Sequence, residues 1–106
     1  MAKVIWQKRA EQELYKYLVS GFLNFGETTA NRFADKVRQI NTELERYPEI
    51  GYPEPLLADR ARLYRARHIL KRFKLIYYYA KSSDVVHVAD IWDSKRSPKT
   101  LRTRIK

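Results

Sequence analysis

Ala30, Phe33, Val37, Ile40 and Leu44 recur at intervals of three, four, three and four residues. Only an α-helix brings such a set onto one side of the backbone, so this stretch must form an amphipathic helix whose apolar seam needs a partner. The partner lies just upstream, where Ala10, Leu14, Tyr17, Leu18 and Phe22 repeat the spacing and Arg9, Glu11, Glu13 and Lys16 take the other face. Asn24-Phe25-Gly26 ends the first helix, since glycine accepts the left-handed conformation of a helix C-terminus. Thr28 or Thr29 is placed to cap the second helix, and Pro48 stops it by withholding an amide and restricting Tyr47. So short a connection makes the two helices an antiparallel hairpin.

Elsewhere the periodicity changes. Lys3 to Trp6 is β-branched and aromatic and reads as a strand. "PEIGYPEPLLADRA", residues 48–61, has three prolines and one glycine and reads as an ordered loop. Leu63 to Ile69, Phe73 to Ala80 and Val85 to Trp92 read as further strands, the last two joined by the turn residues Lys81-Ser82-Ser83-Asp84. The expected fold is therefore α+β in the order β-α-α-β-β-β, an antiparallel helix hairpin packed on one face of a small, mainly antiparallel sheet. The other face is expected to be open, and the chain beyond Pro98 to be a short basic tail. Alternation in the last strand puts Val86, Val88, Asp90 and Trp92 on one side and His87, Ala89, Ile91 and Asp93 on the other. Tyr77 and Tyr79 face opposite to Tyr78, and Trp6 and Trp92 are expected in the core or at a sheet edge.

A chain of 106 residues makes one domain, residues 1–106. With no cysteine it has neither disulfides nor thiolate metal sites. No stretch has the length and apolarity of a signal peptide or membrane span, so a soluble, cytoplasmic protein is expected, with no membrane association. Charge is distributed very unevenly: residues 1–59 carry eight Lys or Arg against nine Asp or Glu, residues 60–106 fourteen against three. So many cations in one segment repel one another, a cost that is tolerated when a polyanion or an acidic protein binds there; the alternative is a solvated, solubilising surface.

"YPEIGYP" (Tyr47 to Pro53), "LYRARH" (Leu63 to His68), "FKLIYYY" (Phe73 to Tyr79) and "VVHVADIWDSKRSP" (Val85 to Pro98), taken in this order after a helix hairpin, resemble the RelE/ParE superfamily of bacterial toxins. The resemblance spans nearly the whole chain. It implies a toxin of a type II toxin-antitoxin module, neutralised by a cognate antitoxin whose acidic, amphipathic segment wraps its basic surface. It implies no cofactor. RelE-like members cut messenger RNA on the ribosome, whereas ParE-like members inhibit DNA gyrase and are not nucleases.

Cleavage through the ribose 2′-hydroxyl needs a proton acceptor, cations for the phosphate and an acid for the leaving oxygen. If the chain is an enzyme, it is an endoribonuclease, and His68, Arg67 and His87 are the catalytic candidates. Three departures weigh against this. The loop from Pro48 to Asp59 has no lysine or arginine, "PKTLRTRIK" at the end has neither tyrosine nor histidine, and Ile69 and Ser94 stand where RelE-like nucleases place arginines. The candidates for binding the target or antitoxin are Arg65, Arg67, Lys71, Arg72, Lys74, Lys95 and Arg96. Asp90 and Asp93 are expected to pair with arginines, and no metal site is expected, because the further ligands of a hard cation are missing. A non-catalytic nucleic-acid-binding module and a degenerate toxin stand as alternatives.

Overall fold

The computed structural model describes residues 1–105. Its elements are β1 (Lys3–Trp6), α1 (Lys8–Phe25), α2 (Glu27–Arg46), β2 (Tyr52–Pro53), β3 (Tyr64–Ile69), β4 (Phe73–Ala80), β5 (Val85–Asp93) and α3 (Pro98–Arg104), with a 3-10 turn at Pro55–Leu57. The strands form one sheet in the order β1-β5-β4-β3-β2, antiparallel except where β1 lies parallel to β5. This is the expected α+β fold with its helix hairpin, to which the chain adds a short edge strand and a C-terminal helix.

Gly26 alone separates the two long helices. Its φ of 93° is open to glycine, its amide donates to the Phe22 carbonyl at 3.0 Å, and its carbonyl accepts from the Ala30 amide at 3.3 Å. One residue thus closes α1 and opens α2. The threonine cap expected at Thr28 or Thr29 is not formed: both lie inside α2, and the Thr29 hydroxyl donates to the Phe25 carbonyl at 3.4 Å.

Phe33, Val37, Ile40 and Leu44 of α2 are buried against Leu75, Tyr77, Val86, Val88 and Ile91 of the sheet. Phe73 sits 5.1 Å edge-to-face from Phe33 and 4.8 Å from Tyr17, in the range where aromatic pairs attract. On α1 only Ala10 is fully buried, and Phe22, expected in the seam, is 54% exposed. At about 100° per residue, Phe22 has rotated off the arc set by Ala10, Leu14 and Tyr17, and Gly21 takes the inward position.

The second face of the sheet is covered rather than open. Leu57 of the 3-10 turn and Leu101 and Ile105 at the C-terminus pack with Tyr64, Ala66, Ile76, Ala89 and Trp92 of the sheet. The expected basic tail is α3, which Pro98 opens at a position where a missing amide costs nothing. Leu101 and Ile105 are four residues apart, so both point at the sheet, while Arg102 between them turns outward to pair with Asp59.

β5 also departs from simple alternation. Tyr77 pairs with Val88 but Ile76 pairs with Asp90, which leaves Ala89 as the extra residue of a β-bulge. The bulge reverses the pleat. Ile91 therefore joins Val86 and Val88 on the hairpin side, while Trp92 turns to the α3 side with Ala89.

Gly51 anchors the proline-rich loop. Its amide donates to the Tyr77 hydroxyl at 2.8 Å, and a Cβ there would come within 2.8 Å of the Ala66 carbonyl oxygen. No helix among the described residues is long and apolar enough to cross a membrane.

Candidate functional site

The basic residues singled out in the sequence are divided by the pleat of β3. Arg65 and Arg67 point to the hairpin side, while His68, paired with Lys74 across the strands, points to the α3 side. Arg67 donates to Glu43 of α2 at 2.5 Å. Arg65 donates to the Gly51 carbonyl at 2.8 Å and lies 3.5 Å from the Glu49 carboxylate. On the opposite face Lys74 donates to both oxygens of Glu54, at 2.8 and 3.0 Å. Arg72 grips Asp93 through two bonds of 2.8 and 2.6 Å, and holds that carboxyl below its usual range.

Lys71, Arg72, Lys95 and Arg96 do gather, at the end of the sheet where the Ser94 amide donates to the Arg72 carbonyl at 2.9 Å. Arg96 stacks 5.0 Å over the Trp92 ring. Among the described residues Lys71 and Lys95 form no ion pair. The three catalytic candidates do not converge. Arg67 and His68 are on opposite faces, and His68 and His87 are paired with β4 residues four positions apart, about 13 Å along the strand. His87 is half-buried and stacked on Tyr78 at 4.8 Å, while His68 is exposed, its Nε2 3.2 Å from the Tyr52 hydroxyl. Burial and the Glu54 carboxylate push the Tyr52 phenol up.

These positions limit the chemistry. Glu54 is the carboxylate nearest to His68 and Tyr52 in the register of the sheet, but its side chain is 0% exposed and both oxygens are taken by Lys74. It is closed to substrate. Among the described residues no three His, Cys, Asp or Glu side chains are grouped to hold a metal ion.

Sequence reasoning missed a second cluster. Gln7, Lys8, Arg9, Arg62, Tyr64, Ala89, Arg104 and Ile105 line an open cleft of about 420 Å³. The Gln7 amide donates to the Val88 carbonyl at 2.9 Å, which extends the β1–β5 pairing and sets Lys8 and Arg9 beside the bulge. Arg9 donates to the Arg104 carbonyl at 2.6 Å. Arg104 in turn holds Glu13 at 3.0 Å and Asp90 at 2.9 Å. Burial, only partly offset by Arg104, pushes the Asp90 carboxyl up to about 6. Dividing the chain into a neutral and a basic half hid this site. The signal was Lys8-Arg9 immediately after a strand, which brings first-half cations into the sheet.

A helix hairpin on one side of a five-stranded sheet, a short helix on the other and a basic surface define a small toxin of the RelE/ParE superfamily. A family model, ParE toxin of type II toxin-antitoxin system, parDE, matches residues 4–98, and the chain belongs to that family. Among solved structures it is similar to the chromosomal ParDE system from P. aeruginosa, with 13% identity and a TM-score of 0.69 over 88% of this chain and 96% of that one. It is similar to the YoeB/ParE toxin from Agrobacterium tumefaciens, at 22% and 0.62 over 86% and 96%, respectively. It is also similar to the isolated E. coli RelE toxin, at 15% and 0.61 over 97% and 95%. At such identities the likeness is one of fold. No curated protein matches the sequence.

Proposed function

We propose that this chain is the toxin of a type II module, held inactive by a cognate antitoxin, and that it arrests growth by inhibiting DNA gyrase rather than by cutting ribosome-bound messenger RNA. The observation that carries this reading is the commitment of the ionisable groups a nuclease would use. Arg67 is tied to Glu43, Arg72 to Asp93, and Lys74 to a Glu54 that no substrate reaches. Membership of the ParE family supports the same target. The end of the sheet carrying Lys71, Arg72, Lys95 and Arg96 suits the acidic segment of an antitoxin, because four cations gather there around the single carboxylate of Asp93 and, among the described residues, Lys71 and Lys95 form no ion pair.

Inducing the chain alone in bacteria should stop growth, and the purified protein should inhibit gyrase-driven supercoiling of plasmid DNA. Normal growth with soluble protein present would remove the toxin reading. The exposed Tyr52–His68 contact favours a second reading, a ribonuclease with His68 as proton acceptor. Primer-extension mapping separates the two: new messenger ends that vanish in His68→Ala, with supercoiling untouched, would establish the nuclease and reject gyrase.

A further inference from the structure

We propose that the tip of the helix hairpin binds a second copy of this chain across a two-fold axis, the Phe25 ring of each copy covering the cavity that Gly21 leaves open in the other. The inference is independent of the gyrase reading, since self-association is read on the purified chain alone.

A hole and a knob of matching size lie side by side at this tip. The hole is an apolar cavity of about 130 Å³ between α1, α2 and the β3–β4 turn, walled by the rings of Tyr17, Phe33 and Phe73. Its volume is close to that at which an apolar cavity admits one benzene ring. Gly21 keeps it open. Glycine weakens a helix interior relative to alanine, and at Gly21 neither crowding nor a left-handed backbone calls for it: a Cβ there would meet no atom within 4 Å. Leu70 lines the same cavity and stays exposed, at a φ of 58° that leucine disfavours.

The knob is the ring of Phe25, which borders the cavity and is 70% exposed. Val19, Phe22 and Leu23 continue the apolar surface at helical spacing, with Phe22 and Leu23 54% and 74% exposed. At about 200 Å² for a large side chain, these residues and Leu70 offer roughly 500 Å² on each copy. Two copies would bury about 1,000 Å², the size at which specific interfaces begin.

The charges around the cavity point to the occupant. Glu27 follows Phe25 and Gly26 on one rim, and Lys71 follows Leu70 on the other; both are exposed and form no ion pair among the described residues. A two-fold axis through the mouth sets Glu27 of one copy against Lys71 of the other, so that two pairs close at once. An acidic segment would meet Glu27 at like charge. The net charge of +10 opposes association at long range, so salt, which screens that repulsion, should strengthen it.

Sedimentation equilibrium of the full chain from low to high micromolar concentration should show monomer and dimer in an equilibrium that tightens as salt is raised. Phe25→Ala should weaken the dimer about tenfold or more, while Leu63→Ala, an exposed apolar residue at the other end of β3, should change it less than about threefold. Gly21→Leu fills the hole and should weaken association about tenfold, yet the melting temperature of the monomer should not fall, because leucine suits a helix better than glycine. Glu27→Lys should weaken the dimer about fivefold, and adding Lys71→Glu should recover the loss. Circular dichroism confirms that each variant is folded. A chain monomeric at every concentration, a dimer that Phe25→Ala and Gly21→Leu weaken no more than Leu63→Ala does, a charge swap without recovery, or a dimer that loosens as salt is raised would each overturn the assignment.

Discussion

Asp90 carries its charge at a cost. The side chain is fully buried, one oxygen accepts from Arg104, and the other has no partner among the described residues. Its carboxyl is raised from 3.8 to about 6, so the folded state holds this proton more tightly than the unfolded state does. The contribution to stability is therefore complete below pH 4 and is lost as pH rises through 6, at about 3 kcal/mol over the window. Asp93 behaves oppositely: lowered by Arg72, it stabilises above its unfolded value and fails only in stronger acid. Asp90→Asn keeps the shape and removes the charge. Chemical denaturation at pH 4 and pH 7.5 should find the wild type less stable at the higher pH and the variant almost level. A variant as pH-dependent as the wild type would place the effect elsewhere.

Among the elements, β3 and α2 are joined by Arg67 and Glu43, a half-buried pair whose loss leaves a charge unmatched. Arg67→Glu sets two carboxylates together and should cost about 1–3 kcal/mol, and adding Glu43→Arg should recover most of it. Urea midpoints at constant slope would measure the recovery, and a double variant no more stable than the single one would show the pair contributes nothing. The elements differ in how openly the sequence declared them. The bounds of β1 and β4 follow from their β-branched and aromatic runs, and the inner face of α2 from a seam of four large residues. α3 left only Leu101 and Ile105 as a trace, too few in a run of cations to signal a buried face. The bulge at Ala89 left no trace, because it depends on a mismatch of register between two strands rather than on a residue type. That slip also hid part of the site. Pleat and bulge together scatter Arg65, Arg67, Lys74 and His87 over two faces, and the cleft they do not line takes cations from both ends of the chain.

For the molecule as a whole, the sheet is a partition between two cores of comparable standing. Ile40 anchors one and Leu101 the other, and both are fully buried. Each replaced by alanine should cost about 2–5 kcal/mol, a large share of the stability of so small a domain. Denaturant titration of the two variants would compare them, and a Leu101→Ala loss below about 1 kcal/mol would mean that α3 merely rests on the surface. The parallel pairing of β1 with β5 bears on synthesis. The strand that leaves the ribosome first finds its neighbour only in the strand made last, so a growing polypeptide cannot complete its sheet. Until β5 has been made, the apolar faces of the other strands lack part of their cover and stay open to whatever protein is nearby.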